Sequence, residues 1–199
     1  LATTAEVILE AIARGTDLTI RGVRGLIAEA AFKTCIVDPL LISGWCEDQD
    51  AVRGDVPYDF ALTDLDGQHG RIQVKMQRLR DKRPLFAREV AKTLYRDNVD
   101  CWVVETQRTR GGKDSKGSPT RPYKFGEFDI LSVSLHPSTH DWSKFLHTIA
   151  DWLIPEPDNP TQIFKYQPVS QTPNADWTDS LETVFGWLRD GRQKKISRQ

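Results

Sequence analysis

Three residues within VPYDFALTDLDGQHGRIQVKMQR (residues 56–78) have the types and spacing to do chemistry: Asp59, Gln73 and Lys75. Asp59 offers hard carboxylate oxygen, the Gln73 side-chain carbonyl offers another, and the backbone carbonyl of Val74 lies between Gln73 and Lys75. Oxygen sets of this kind suit Mg2+, which prefers about six oxygens and keeps several of them as water. One such water, its pKa lowered, is an in-line nucleophile for a phosphodiester. Lys75 stands two residues from Gln73 and so faces the same side of a strand. Its ammonium can orient that water or stabilise the charge that grows on the phosphate. Each residue taken alone has a plainer reading. A single Asp before a strand is commonly a turn or capping residue, and a Gln-x-Lys face is commonly the solvated face of an edge strand.

The elements that must position these residues follow from periodicity. Strand character runs over Tyr58–Thr63, DLDGQHG is turn chemistry, and Arg71–Gln77 alternates, with Ile72, Val74 and Met76 on one side and Gln73, Lys75 and Gln77 on the other. Upstream, a short helix is predicted over Thr4–Ala13 and a second over Ile20–Val37, closed by Pro39. The apolar stripe of the second helix is Val23, Leu26, Ile27, Ala30, Ala31, Thr34 and Cys35, and Glu29 stands beside it. Downstream, a helix is predicted over Leu85–Tyr95, strands over Asp100–Gln107 and Glu127–Leu135, and helices over Trp142–Leu153 and Trp177–Leu188. The intervening RTRGGKDSKGSPTRPYK reads as a long mobile loop. The fold class is α/β, a central mixed sheet flanked by helices. Residues 1–199 read as one domain: an N-terminal helix in 1–19, a core over about 20–135 and a helical C-terminal extension in 136–199.

PYD followed by a strand and then QVK resembles the PD-(D/E)XK nuclease superfamily, in the variant where Gln replaces the acidic residue of the last triplet. The resemblance implies a restriction-endonuclease-like core and a Mg2+-dependent DNA endonuclease, most like a type II restriction enzyme. Carried over residue by residue, it makes Asp59, Gln73, Lys75 and Glu29 catalytic. Asp59, Glu29, Gln73 and the Val74 carbonyl are then the metal ligands, and Lys75 is the catalytic lysine. Glu29 fills the place of the helix carboxylate that precedes the hairpin. Two departures stand out: Tyr58 separates Pro57 from Asp59, and Gln73 removes a negative charge, which shifts metal affinity onto Glu29 and the DNA phosphate.

Two basic segments adjoin the predicted strands. They place Gln77, Arg78, Arg80, Lys82 and Arg83 at and beyond the end of the second strand, and Gln107, Arg108, Arg110, Lys113, Lys116, Arg121, Tyr123 and Lys124 at and beyond the end of the third. In a chain of net charge −1 this is a local concentration of cations, suited to neutralising phosphates and to reading guanine or adenine edges. Glu105, at the end of the third strand, is expected to pair with Arg108.

Composition excludes several classes. No apolar run approaches the ~20 residues that span a bilayer, and no GxxxxGK[ST] loop marks an ATP-driven enzyme. Cys35, Cys46 and Cys101 have neither disulfide-framework nor zinc-ligand spacing, so a reducing, cytoplasmic compartment is expected. The expected partner is double-stranded DNA, and cutting both strands favours a homodimer. A homing endonuclease, a junction or repair nuclease, a catalytically inactive DNA-binding module and a structural protein with incidental charge stay open as alternatives.

Overall fold

A computed structural model describes residues 4–48, 56–95, 100–108 and 121–196. Helix α1 spans Ala5–Ala13 and α2 Asp17–Phe32. Thr16 caps α2 by accepting from the Thr19 amide at 3.4 Å. A π-helical turn, Lys33–Val37, carries α2 into α3, Asp38–Ile42. Pro39 therefore opens α3 instead of ending the preceding helix, in the first turn where a missing N–H is tolerated. Strands β1 (Cys46–Glu47), β2 (Phe60–Thr63) and β3 (His69–Met76) follow, then the small hairpin β4 (Leu79–Arg80) and β5 (Arg83–Pro84). Next come α4 (Ala87–Val90), β6 (Trp102–Glu105), β7 (Ile130–Ser134), α5 (His136–Thr139) and β8 (Phe145–Ile149). The C-terminal elements are β9 (Pro155–Glu156), β10 (Asn159–Ile163), β11 (Tyr166–Val169) and α6 (Leu181–Arg189). No helix among the described residues is long and apolar enough to cross a membrane.

The fold is α/β around a central mixed sheet of order β1-β2-β3-β7-β8, antiparallel except for the parallel β3–β7 pair. The β2–β3 turn is set by Asp64, whose Oδ1 accepts from the amides of Asp66 at 2.9 Å and Gln68 at 2.8 Å. Gly67 there takes φ +81°, a conformation that favours glycine. Asp129 locks β3 to β7: its carboxylate accepts from the Arg71 amide at 2.8 Å and from the guanidinium at 2.9 and 2.8 Å.

Both larger packed helices use the sheet face that carries Phe60, Ile72 and Val74. Phe32 of α2 sits 5.1 Å from the Phe60 ring and 5.3 Å from Phe145. Phe185 of α6 stands over Gly70, where an added Cβ would lie 2.8 Å from the ring. His147 of β8 is fully buried on this face; its Nδ1 lies 2.9 Å from the Ser132 hydroxyl, and burial holds its pKa down at about 3.

Four sequence expectations are corrected. Trp142–Leu153 is strand β8 followed by a 3-10 turn, not a helix. A short continuous apolar run such as FLHTI reads alike as buried helix or buried strand, and all five residues are buried here. The segment 136–199 is accordingly no helical extension, since β8 completes the main sheet and β11 pairs with β6. The Leu85–Tyr95 helix shrinks to the single turn of α4. In α2 the buried residues are Ala28, Ala31 and Phe32, while Leu26 and Ile27 of the predicted stripe are 64% and 40% exposed. The loop residues 109–120, with Arg110, Lys113 and Lys116, lie outside the described residues.

Candidate active site

β2 and β3 run in register only from Phe60 opposite Ile72 onward to Thr63 opposite His69. Beyond Phe60, the C-terminal half of β3 pairs among the described residues with β7 alone, and its other edge is open to Asp59. Asp59 occupies the first position past the ladder. Its amide donates to the Ile72 carbonyl at 2.9 Å, which aims the carboxylate along the open edge. There Oδ2 accepts from the Val74 amide at 2.7 Å and from Gln73 Nε2 at 2.5 Å. The same Gln73 nitrogen donates to the Val74 carbonyl at 3.1 Å. The Gln73 carbonyl accepts from the Tyr123 hydroxyl at 3.1 Å. Gln73 is thus a fully satisfied amide in a central strand, 2% exposed, and the solvated-edge reading does not hold for it.

Lys75 points the same way as Gln73, and its Nζ lies 5.3 Å from the centre of the Tyr123 ring. Arg108 approaches the same ring at 5.3 Å. Glu29 comes to the open edge from α2. Burial pushes its pKa up to about 7, helped by the charge of Asp59 and opposed by that of Lys75. Asp59 is also raised, by burial first, against the opposing pull of Lys75, the Val74 amide and Gln73. Two carboxylates from separate elements therefore share a place where both resist ionising, next to one ammonium.

That donor set fits a hard cation. Asp59 Oδ2 and the Val74 carbonyl lie at one strand edge, Glu29 lines the cleft beside Val74 and Lys75, and a divalent ion held by them would relieve the raised pKa values. Gln73 presents its nitrogen, not its oxygen, to the Asp59 and Val74 oxygens. Its N–H2 stands between the two oxygens much as a small cation would. Among the described residues no group of three or more His, Cys, Asp or Glu side chains could hold a metal ion.

A cleft of about 240 Å3 opens from Glu29 and Lys75 between α2 and the ends of β3 and β6. Of the predicted DNA-contacting residues, Gln77, Arg78, Gln107, Arg108 and Arg121 line it. Arg78 is paired with Glu105, and Arg108 donates to Glu127 at 2.9 Å. The expected Glu105–Arg108 pair is therefore replaced. Arg78 continues β3 alongside β6, its amide bonded to the Val103 carbonyl at 2.8 Å, whereas Arg108 lies past the end of β6 beside residue 121. Arg80, Lys82 and Arg83 sit on the β4–β5 hairpin, whose turn residues Asp81 and Lys82 have φ 51° and 63°. Arg83 is tied to Glu89 at 2.6 and 3.0 Å, which holds that carboxyl at about 2. Tyr123 is buried beneath the site rather than on its surface, and Lys124 bridges to Gln162 outside the cleft. Arg21 and Arg24 of α2 also line the cleft and escaped the sequence reading. Their signal was available: arginines three apart, each followed by glycine, in the turns just before Glu29.

No family model matches the chain, and no curated protein matches it. Among solved structures it is similar to a bacterial homing endonuclease, at 17% sequence identity and a TM-score of 0.47, over 85% of this chain and 94% of that one. A likeness of this size decides neither the chemistry nor the residues that carry it.

Proposed function

We propose that this chain is a Mg2+-dependent DNA endonuclease of the PD-(D/E)XK kind in its QxK form. The observation that carries the reading is the Gln73 amide nitrogen, buried and shared between Asp59 Oδ2 and the Val74 carbonyl, beside two carboxylates of raised pKa and Lys75. Asp59, Glu29 and the Val74 carbonyl would hold the ion, with Gln73 joining once its amide turns. When bound, Mg2+ supplies Lewis acidity toward a phosphate oxygen and acidifies a water. The chain's own residues do the rest. Lys75, seated over Tyr123, places a positive charge where the scissile phosphate gains negative charge. Arg78, Arg108 and Arg121 line the path that a polyanion must take to reach it. A homodimer would present one such site to each strand of a duplex.

Incubating the protein with mixed genomic DNA and Mg2+, with sequencing of the fragment ends, tests this. Short palindromic ends assign a restriction enzyme, long asymmetric ends a homing enzyme, and cutting confined to branched DNA a junction nuclease. Lys75→Ala should abolish cutting and retain DNA binding. Salt-dependent binding with no Mg2+-dependent or Mn2+-dependent cutting by the wild type would leave a catalytically inactive DNA-binding module, the reading that the paucity of carboxylates favours.

A further inference from the structure

Gly22 and Gly25 stand one turn apart inside α2, on the face that continues through Ala28 to Glu29. Glycine is the poorest helix former after proline. Among the described residues nothing calls for it here. Neither residue has a positive φ, and a Cβ at either would meet nothing within 4 Å among the described residues. Both line the cleft, between Arg21 and Arg24 on the same helix and β3 across from it.

Across the cleft is an independent anomaly. Gln77 is 1% exposed, and among the described residues neither its amide nitrogen nor its carbonyl oxygen has a hydrogen-bond partner. Buried amides without partners are uncommon because the group has lost water and gained nothing in return. A glycine-lined helix face and a buried amide without a partner among the described residues border the same cleft.

We propose that this cleft seats a nucleic-acid strand next to the scissile bond. Gly22 and Gly25 let the sugar–phosphate backbone lie against the helix, Arg21 and Arg24 pair with its phosphates, and Gln77 hydrogen-bonds a base edge. Gly22 and Glu29 are separated by seven helical rises, about 10 Å, so the bound stretch is continuous with the phosphate presented to Glu29 and Lys75. The inference rests on the nuclease reading and extends it, assigning α2 a grip on the strand as well as a carboxylate.

The test is the double variant Gly22→Ala, Gly25→Ala. Thermal unfolding is measured, together with fluorescence anisotropy of labelled random-sequence duplex and single-stranded oligonucleotides over a series of salt concentrations without divalent metal. Alanine is the better helix residue and has room among the described residues, so the variant should melt a few degrees higher. The two methyl groups crowd the strand, so binding should weaken roughly tenfold, an overpacking effect, with an unchanged salt slope because no charge is lost. Arg21→Ala should instead lower that slope by about one. Gln77→Leu should weaken binding without changing the salt slope. Wild-type binding with undiminished affinity in the double variant overturns the strand seat and leaves the nuclease reading intact. A lower melting temperature overturns it too, since the glycines would then serve the fold. No binding of either DNA by the wild type removes both.

Discussion

Gln73→Glu tests the site at its tightest point. The Gln73 nitrogen lies 2.5 Å from Asp59 Oδ2 and 3.1 Å from the Val74 carbonyl. The substitution replaces a donor shared by two oxygens with a third oxygen. Two carboxylate charges about 4 Å apart repel by about 4 kcal/mol at an effective dielectric near 20. Asp59 is already held above its usual range by burial, so the relief open to the pair is a shared proton, which becomes available as pH falls. For a chain of this length, with about 2–4 °C lost per kcal/mol, the melting temperature at pH 8 without metal should fall by roughly 8–16 °C. The sign with pH follows from linkage. The pair's folded pKa is raised above the unfolded carboxylate value, so the variant is unhandicapped at low pH, where a shared proton restores a donor. Its deficit opens as pH rises through the folded value. Differential scanning fluorimetry at pH 5, 6, 7 and 8, with and without millimolar Mg2+, reads both effects. Under the nuclease reading Mg2+ should recover most of the loss at pH 8 and stabilise the variant more than the wild type. A deficit without recovery would remove the ion but keep the geometry. A variant as stable as wild type at pH 8 without metal would refute the reasoning at its root.

Other perturbations are sharper about the frame. Tyr123→Phe keeps the ring under Lys75 and Arg108 but strands the Gln73 carbonyl, at a cost of roughly 1–3 kcal/mol in chemical denaturation; unchanged stability would mean the hydroxyl does not hold the amide. Gly70→Ala pushes a methyl group to 2.8 Å from the buried Phe185 ring and should cost about 1–3 kcal/mol, with a crystal structure showing the displaced ring. His147 is neutral in the fold, its pKa held at about 3 by burial, while the unfolded chain takes up a proton near pH 6.5. Stability is therefore lost as pH falls below about 6.5, at about 1.4 kcal/mol per unit, until the folded value is reached. His147→Gln should remove that component, narrowing the gap to wild type by roughly 2–3 kcal/mol between pH 6.5 and 4.5.

The sheet and the site differed in how far they could be read from sequence. Asp59, Gln73 and Lys75 were legible because a strand has a period of two and a hairpin brings the residue before one strand opposite the next. The resemblance pointed to Glu29 on the helix preceding that hairpin, and the structure sets it in the cleft with Lys75. Tyr123 was assigned to the DNA surface, yet it supports Gln73 across fifty positions, and no local pattern encodes such a contact. The α2 stripe was misjudged because small residues hide a packed face: Ala28 and Ala31 are buried with Phe32 while Leu26 and Ile27 face outward. β8 was misread because five consecutive buried residues erase the alternation that marks a strand. Gly22 and Gly25 looked like weak helix residues and nothing more until the cleft gave them a common side.

The parallel pairing of β3 with β7 also bears on when the protein becomes competent during its synthesis. Arg71 and Asp129, which join the two strands, are fifty-eight positions apart, and such distant partners meet late because closing the intervening chain is entropically slow. A polypeptide still on the ribosome with Asp59, Gln73 and Lys75 already made has no neighbour for the distal half of β3 until Ser134 has emerged. Translation beyond that point, not translation of the chemical residues themselves, sets the earliest moment at which the constellation can form.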